Sequence, residues 1–516
     1  MSYPFVTKNS HPNGETEKLS EIGTQELSLD SYVGKVHVEL DEKTQSTPVG
    51  TFGYFVDFLK NTGHLDRWID ECPLYYTSPN APLKRDIIGT ALLSVINGHR
   101  RFAHVTTLRT DGINPEFLGM TKIASEDSLR NGIHRMDEES ARTWQQQNLL
   151  HTIGPLLYQP WILDIDTTIK PVYGNQEGAE VSYNPHKPGR PSLTYHTYIM
   201  GGTRLVLDVE VRSGSEHGPS YTRPELWRFL ERLEPDQRPT FIRGDAAFGS
   251  EETMCWPESN EYKYLFKLRQ SKNVKRLIED LDKEQGQWLS AGSNWEGRES
   301  TLQLTSWTTK RRVVVLRRED RKKKRVIPKD NIYTLLGDSV EVLSEPVYEY
   351  IVLVTNLDYP IEQLGQLYRD RADCENVFDE LKNQWGWGGY TTHSLKSNHI
   401  MARIVAQVYN WWSIMTKRSH TRKHKEAITT RPAMLSNVAY MSRSGGGKNL
   451  KISVPHEKKK VVEYLNAFCN KVREIFSTAE QLEPSRGWRQ VLEWIFKLGC
   501  PRLGFSELSK AGNTDY

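Results

Sequence analysis

From Gly50 to Gln159, apolar residues recur at three- and four-residue spacing, in Phe55–Leu59, Ile87–Ile96 and Leu149–Leu157. That period predicts helices. Between them Ser125 is placed to cap a short helix that projects Arg130, His134 and Arg135, a basic face of the kind that can enter a DNA groove. The pattern then changes. Trp161–Thr168 is an apolar-rich run that predicts a buried strand, with Leu163 and Ile165 on one face and Asp164 and Asp166 on the other. Two more strands follow, Ser192–Met200 and Arg204–Val211, joined by Gly201-Gly202, a good hairpin turn. A helix at Arg223–Leu233 leads to a fourth strand, Thr240–Asp245, and Tyr262–Lys267 predicts a fifth.

A three-strand meander followed by helix, strand, helix, strand is the ribonuclease-H-like order. In such a mixed sheet, catalytic groups collect at strand ends around the crevice. Residues 270–356 interrupt that plan with strands at Trp295–Trp307, Arg312–Arg317 and Val347–Val354, separated by very basic loops. A helix opening near Pro360 and running through Lys382 returns to the core, and His399–Trp412 predicts a second helix, apolar on most sides. A Gly-rich break at Gly445–Gly447 and a last amphipathic helix, Trp488–Phe496, complete the pattern.

The expected architecture is therefore α/β, a ribonuclease-H-like mixed sheet flanked by helices and interrupted by a β-rich insertion. Its expected parts are a mobile polar arm (1–48), a helical N-terminal DNA-binding domain (49–158) and the first part of the core (159–269). The β-rich insertion (270–356), the second part of the core (357–415) and a basic C-terminal region suited to dimerisation (416–516) follow.

With 516 residues, 37% of them hydrophobic and 26% charged, the composition is that of a soluble protein. Apolar runs are too short to span a bilayer, and Met1–Lys8 has no signal-peptide core, so a cytoplasmic protein without a membrane partner is expected. Cys72, Cys255, Cys374, Cys469 and Cys500 form no CxxC pair, which argues against a zinc site or a disulfide framework. A net charge of +3 does not by itself imply nucleic acid. Its distribution is more informative: basic runs at Lys310–Arg312, Arg317–Arg318, Arg321–Arg325, Lys417–Arg418, Arg422–Lys425 and Lys458–Lys460 all follow residue 300, which favours a polyanionic partner.

On one continuous helix, at about 100° per residue, Tyr368, Arg371, Glu375 and Lys382 share a stripe about 60° wide. Asp373 and Glu380 fall off it and are expected at the surface, and Asp379 borders it without a role. Taken alone, such a stripe fits a solvated face just as well. Asp166 and Asp245, isolated on core strands, change the balance. A carboxylate in a buried strand is costly unless it meets a cation or hydrogen-bond donors. Together with Glu375 they could hold two divalent ions about 3.5–4 Å apart.

These residues resemble the DDE transposases of bacterial insertion sequences, in the group marked by Tyr-x2-Arg-x3-Glu-x6-Lys. Tyr368, Arg371, Glu375 and Lys382 match that spacing, Asp166-Thr167-Thr168 matches the first aspartate, and Asp245 in Ile242–Phe248 matches the second. Gly174–Ala179, Tyr183–Pro185 and Gly189–Pro191 resemble one branch, the insertion-sequence family numbered thirteen-eighty. The resemblance covers about residues 160 to 415.

It implies catalysis and metal binding by Asp166, Asp245 and Glu375, with two Mg²⁺ or Mn²⁺ ions. It implies phosphate contacts by Tyr368, Arg371 and Lys382, and base stacking by one of Trp288, Trp295 and Trp307. The activity it implies is cut-and-paste transposition. The partners are double-stranded DNA, as transposon ends and target, and a second copy of the chain in a synaptic homodimer near the bacterial nucleoid. A nuclease without strand transfer and an inactive DNA-binding regulator are the alternatives.

Overall fold

The computed structural model describes residues 28–182, 184, 187–216, 218–284, 286–326, 344–418, 424–444, 447–455, 458–480 and 484–496. The first half of the expected arm, Gly445–Gly446, Arg422, Lys423 and Cys500 lie outside them, as do the side chains of Arg321–Arg325. The chain forms two compact units, residues 1–45 and 46–516. In the first, β1 (Ser28–Ser31) and β2 (Gly34–His37) make an exposed antiparallel hairpin whose turn uses Gly34 at φ +104°.

The second unit opens with β3 (Ser46–Thr47) and the helices α1 (Phe52–Asn61), α2 (His64–Asp70), α3 (Lys84–Ile96), α4 (Asn114–Phe117), α5 (Glu126–Arg135) and α6 (Glu138–Ile153). Ser125 caps α5 by accepting from the Ser128 amide, as its position predicts, and Asp137 caps α6 in the same way. Next come β4 (Ile162–Pro171), β5 (Glu180–Val181), β6 (Pro191–Met200), β7 (Leu205–Ser213), α7 (Pro219–Glu231), β8 (Phe241–Gly244), α8 (Glu251–Ser259) and β9 (Tyr264–Lys267). These match the expected strands and helix in order. β4 pairs antiparallel with β6 and parallel with β8, β9 runs parallel to β8, and β7 pairs antiparallel with β6.

The segment expected as an insertion holds α9 (Lys272–Lys283), β10 (Leu289–Ser290), β11 (Glu296–Leu302), β12 (Arg311–Val326) and β13 (Ser344–Thr355). Its strands do not form a separate sheet. β13 pairs antiparallel with β9, Val354 opposite Phe266, and β12, β11 and β10 continue outward to give one ten-stranded mixed sheet. The completely buried Val352, Leu353 and Val354 explain this, because a strand covered on both faces belongs inside a sheet.

Two helices replace the single one expected after Pro360: α10 (Ile361–Arg369) and α11 (Ala372–Asn383). At the junction the amides of Arg371 and Cys374 bond to Tyr368 and Arg371 carbonyls, an i→i+3 pattern. Such a turn advances about 120° per residue and rotates everything beyond it relative to a continuous wheel.

α12 (Leu395–Thr416) is buried on nearly every side, as its apolar pattern predicts, and lies between the N-terminal helices and the sheet. Its polar residues find partners there. Arg403 pairs with Asp208 at 2.7 Å and also with Glu210, and Gln407 donates to Thr152 Oγ1 at 2.8 Å. The chain continues through α13 (Ala427–Met434), β14 (Ala439–Ser444) and β15 (Gly447–Ile452), which form a small sheet with β3, and then α14 (Lys459–Glu480) and α15 (Pro484–Phe496). Among the described residues no helix is long and apolar enough to cross a membrane.

Candidate active site

The parallel pairing of β4 with β8 brings two aspartates together. Ile165 stands opposite Gly244, so the next residues in that register are Asp166 and Asp245. Neighbouring strands lie about 4.8 Å apart, and both carboxylates face one cleft of about 930 Å³. Asp166 accepts from its neighbour's amide, Thr167 N, at 2.7 Å and from Arg371 Nη2 at 2.6 Å; Asp245 accepts from Ala247 N at 2.9 Å. Burial pushes the Asp166 carboxyl up to about 6, with the Arg371 guanidinium opposing and the Asp245 charge adding to the rise.

The four residues of the expected stripe come to this place by different routes. Tyr368, in the last turn of α10, is half-buried; burial pushes its phenol up to about 12, Arg371 opposes, and the charges of Asp245, Asp166 and Glu375 add. Arg371, at the junction, is buried and turned inward onto Asp166, its Nη1 3.5 Å from Glu375 Oε1. Glu375 itself is 70% exposed and does not line the cleft. Lys382, two turns further along α11, lines the cleft; burial lowers its ammonium, and the charges of Asp166 and Asp379 partly restore it.

One expectation for a neighbouring residue is corrected. Glu380 is not at the surface: it is 1% exposed, and its carboxylate accepts from Trp385 Nε1 at 3.1 Å and Ala427 N at 3.0 Å and lies 2.9 Å from His424 Nε2. Asp373 is also engaged, accepting from Arg204 Nε at 2.8 Å. Arg204, His424 and Ala427 come from distant parts of the chain, which a helical wheel does not contain.

The strand pattern could have flagged Lys170. It shares the Asp166 and Thr168 face of β4, and it lines the cleft. Its Nζ donates to Gly389 O and to Tyr195 Oη at 3.2 Å, and burial lowers the ammonium to about 7. Arg269, just beyond β9, lines the cleft as well.

Of the tryptophans, Trp295 and Trp307 are buried, whereas Trp288 is partly exposed with Arg317 3.9 Å from its ring centre. Arg130, His134 and Arg135 remain exposed on α5. Among the described residues, Cys72, Cys255, Cys374 and Cys469 are free thiols.

The donor chemistry suits a divalent cation. Two carboxylates share a wall, and burial raises one of them, a rise that positive charge opposes. Arg371 supplies part of that charge here. Among the described residues, no three His, Cys, Asp or Glu side chains are gathered closely enough to hold a metal ion. Asp166, within β4, and Asp245, just past the end of β8, share the cleft with Lys170, Arg269 and Lys382.

Residues 82–467 match the family Transposase DDE domain group 1, and the chain belongs to it. It is a transposase, a metal-dependent enzyme that cleaves DNA and transfers strands. No curated protein matches the chain. Among solved structures, a piggyBac transposase synaptic complex with hairpin DNA aligns over 92% of this chain and 89% of that one, at 12% identity and a TM-score of 0.37. That likeness is too distant to transfer any feature of the complex.

Proposed function

We propose that this transposase moves an insertion sequence of the Tyr-x2-Arg-x3-Glu-x6-Lys group, in the branch numbered thirteen-eighty, by cut and paste. The observation that carries the proposal is the register that sets Asp166 beside Asp245 in one cleft that Lys382 also lines. The strand order β7-β6-β4-β8-β9, with the last two joints parallel, supports the ribonuclease-H-like assignment of the core.

Asp166 and Asp245 are the cleft residues that would hold two Mg²⁺ or Mn²⁺ ions, and Glu375, the third ligand that the resemblance implies, lies outside the cleft and would have to turn toward them. When bound, such ions activate the attacking oxygen and stabilise the leaving 3′ oxygen. The chain's own part is to bind and orient the DNA. Tyr368, Arg371 and Lys382 contact phosphates of the transposon end, Lys382 as a point charge and Arg371 once its guanidinium leaves Asp166. Trp288, with its partly exposed ring, serves as the stacking platform for a displaced base. Water hydrolyses one strand at the transposon end, and the freed 3′-hydroxyl attacks the opposite strand to close a hairpin. After the hairpin is opened, the 3′-hydroxyl joins to target DNA without a covalent protein–DNA bond. Two copies act in a synaptic homodimer, in the bacterial cytoplasm at the nucleoid.

The test uses a plasmid carrying the gene with its native flanking DNA, incubated with the purified protein and Mg²⁺ or Mn²⁺. Release of the flanked segment and its joining to a second plasmid are expected. Nicking without joining would reduce the protein to a nuclease, and binding without cleavage to a regulator.

A further inference from the structure

The cleft does not end at the carboxylates. Its lining follows β4 from Asp166 to Pro171 and takes in Asn184, whose Oδ1 accepts from Lys187 N at 3.0 Å. At that end the backbone assembles a small cationic cluster. Pro171 pairs with Ser192, and Val172 N donates to Pro191 O at 2.9 Å. Continuing that register sets Tyr173 beside Arg190. The Arg190 guanidinium lies 4.7 Å from the Tyr173 ring centre, Lys187 Nζ lies 5.1 Å from it, and Lys187 donates to the phenol oxygen.

Tyr173 is 67% exposed, and both cations are exposed. Neither pairs with a carboxylate among the described residues. Lys187, first by its hydrogen bond and then by its charge, lowers the Tyr173 phenol below its ordinary range, with a smaller contribution from Arg190. The ring holds two long side chains forward, so less side-chain entropy remains to be lost when they meet an anion.

We infer that Tyr173, Lys187 and Arg190 form a phosphate clamp for the DNA backbone as it leaves the catalytic cleft. The inference rests on the transposase reading of that cleft. Tyr173 follows Asp166 by seven residues, two of them beyond the end of β4, a reach of at most about 23 Å at about 3.3 Å per residue. That reach corresponds to about seven nucleotides of duplex at about 3.4 Å each. The clamp therefore holds phosphates on the order of one helical turn or less from the scissile bond.

The test is fluorescence anisotropy of a labelled DNA duplex bound to the full chain across a salt series. The double variant Lys187→Ala/Arg190→Ala should lower the magnitude of the log K against log salt slope by about 1.8, two phosphates at about 0.9 each. Tyr173→Ala should weaken binding and leave more of the slope. Melting temperatures should stay at the wild-type value, since all three side chains are exposed. A wild-type slope in the double variant overturns the clamp and leaves the transposase reading standing. An equal loss of slope in a control pair, Lys459→Ala/Lys460→Ala, would reduce the effect to bulk charge and also overturn the clamp. Failure of the wild-type protein to bind DNA would overturn both.

Discussion

Two aspartate–arginine pairs lie side by side on the same face of β4. Asp164 stands opposite Arg243 of β8, and both its oxygens are taken, at 2.5 Å from Nε and 2.7 Å from Nη2. Arg243 then reaches Leu367 O, so the pair ties the sheet to α10. Both side chains are almost completely buried, and their donors and acceptors close on one another.

Asp166 is built from the same chemistry and does the opposite. Its arginine comes from the α10–α11 junction, gives it one hydrogen bond, and keeps a buried Nε without a hydrogen-bond partner among the described residues. The carboxylate opens on a cleft and feels a second aspartate. A closed pair is a strut; an under-satisfied pair beside a cleft marks a site. Identity of the residues does not separate the two roles, whereas satisfaction of their hydrogen bonds does.

The largest effect that can break this comparison is on stability. Arg243→Ala leaves Asp164 buried and unpaired and should cost about 3–5 kcal/mol in denaturant unfolding. A cost below about 1 kcal/mol would mean that the pair is no strut.

Next comes pH. The folded Asp166 carboxyl is raised to about 6 from 3.8, so between those values the folded chain binds the extra proton and stability falls as pH rises. Two units at about 1.4 kcal/mol each give about 3 kcal/mol, present below pH 4 and lost by pH 6. Compared with Asp166→Asn in metal-free buffer, the wild type should lose that amount over this window. Parallel stability curves for the two proteins would contradict the raised carboxyl.

The smallest effect concerns Lys382, which lines the same cleft. Lys382→Ala should lower the salt slope of DNA binding by about 0.9, one phosphate contact. An unchanged slope would remove its phosphate role.

Much of this was legible along the chain. Strands with isolated aspartates, the Gly201-Gly202 turn and the Ser125 cap depend on local pattern, and the structure has them where the pattern predicts. Selection of Asp166 over Asp164 came from the threonines after it, and the hydrogen bonds of Asp164 now supply an independent reason.

What was not legible depends on distant partners. β13 joins β9 because of hydrophobic cover on both its faces, which its own alternation does not specify. The break between α10 and α11 contains neither glycine nor proline, and it falls where Arg371 turns to Asp166. Glu380 is buried by His424 and the Ala427 amide, more than forty residues further along, so its burial leaves no trace in its own helix period. Lys170 alone could have been found earlier, by following the Asp166 face of its strand.

The most direct test places Asp164→Asn and Asp166→Asn side by side in a metal-dependent DNA cleavage assay, with melting of each protein recorded first. Asp166→Asn should fold as well as the wild type and cleave nothing, while Asp164→Asn should melt at lower temperature and cleave in proportion to the protein that remains folded. Wild-type cleavage by folded Asp166→Asn would contradict a catalytic role for Asp166.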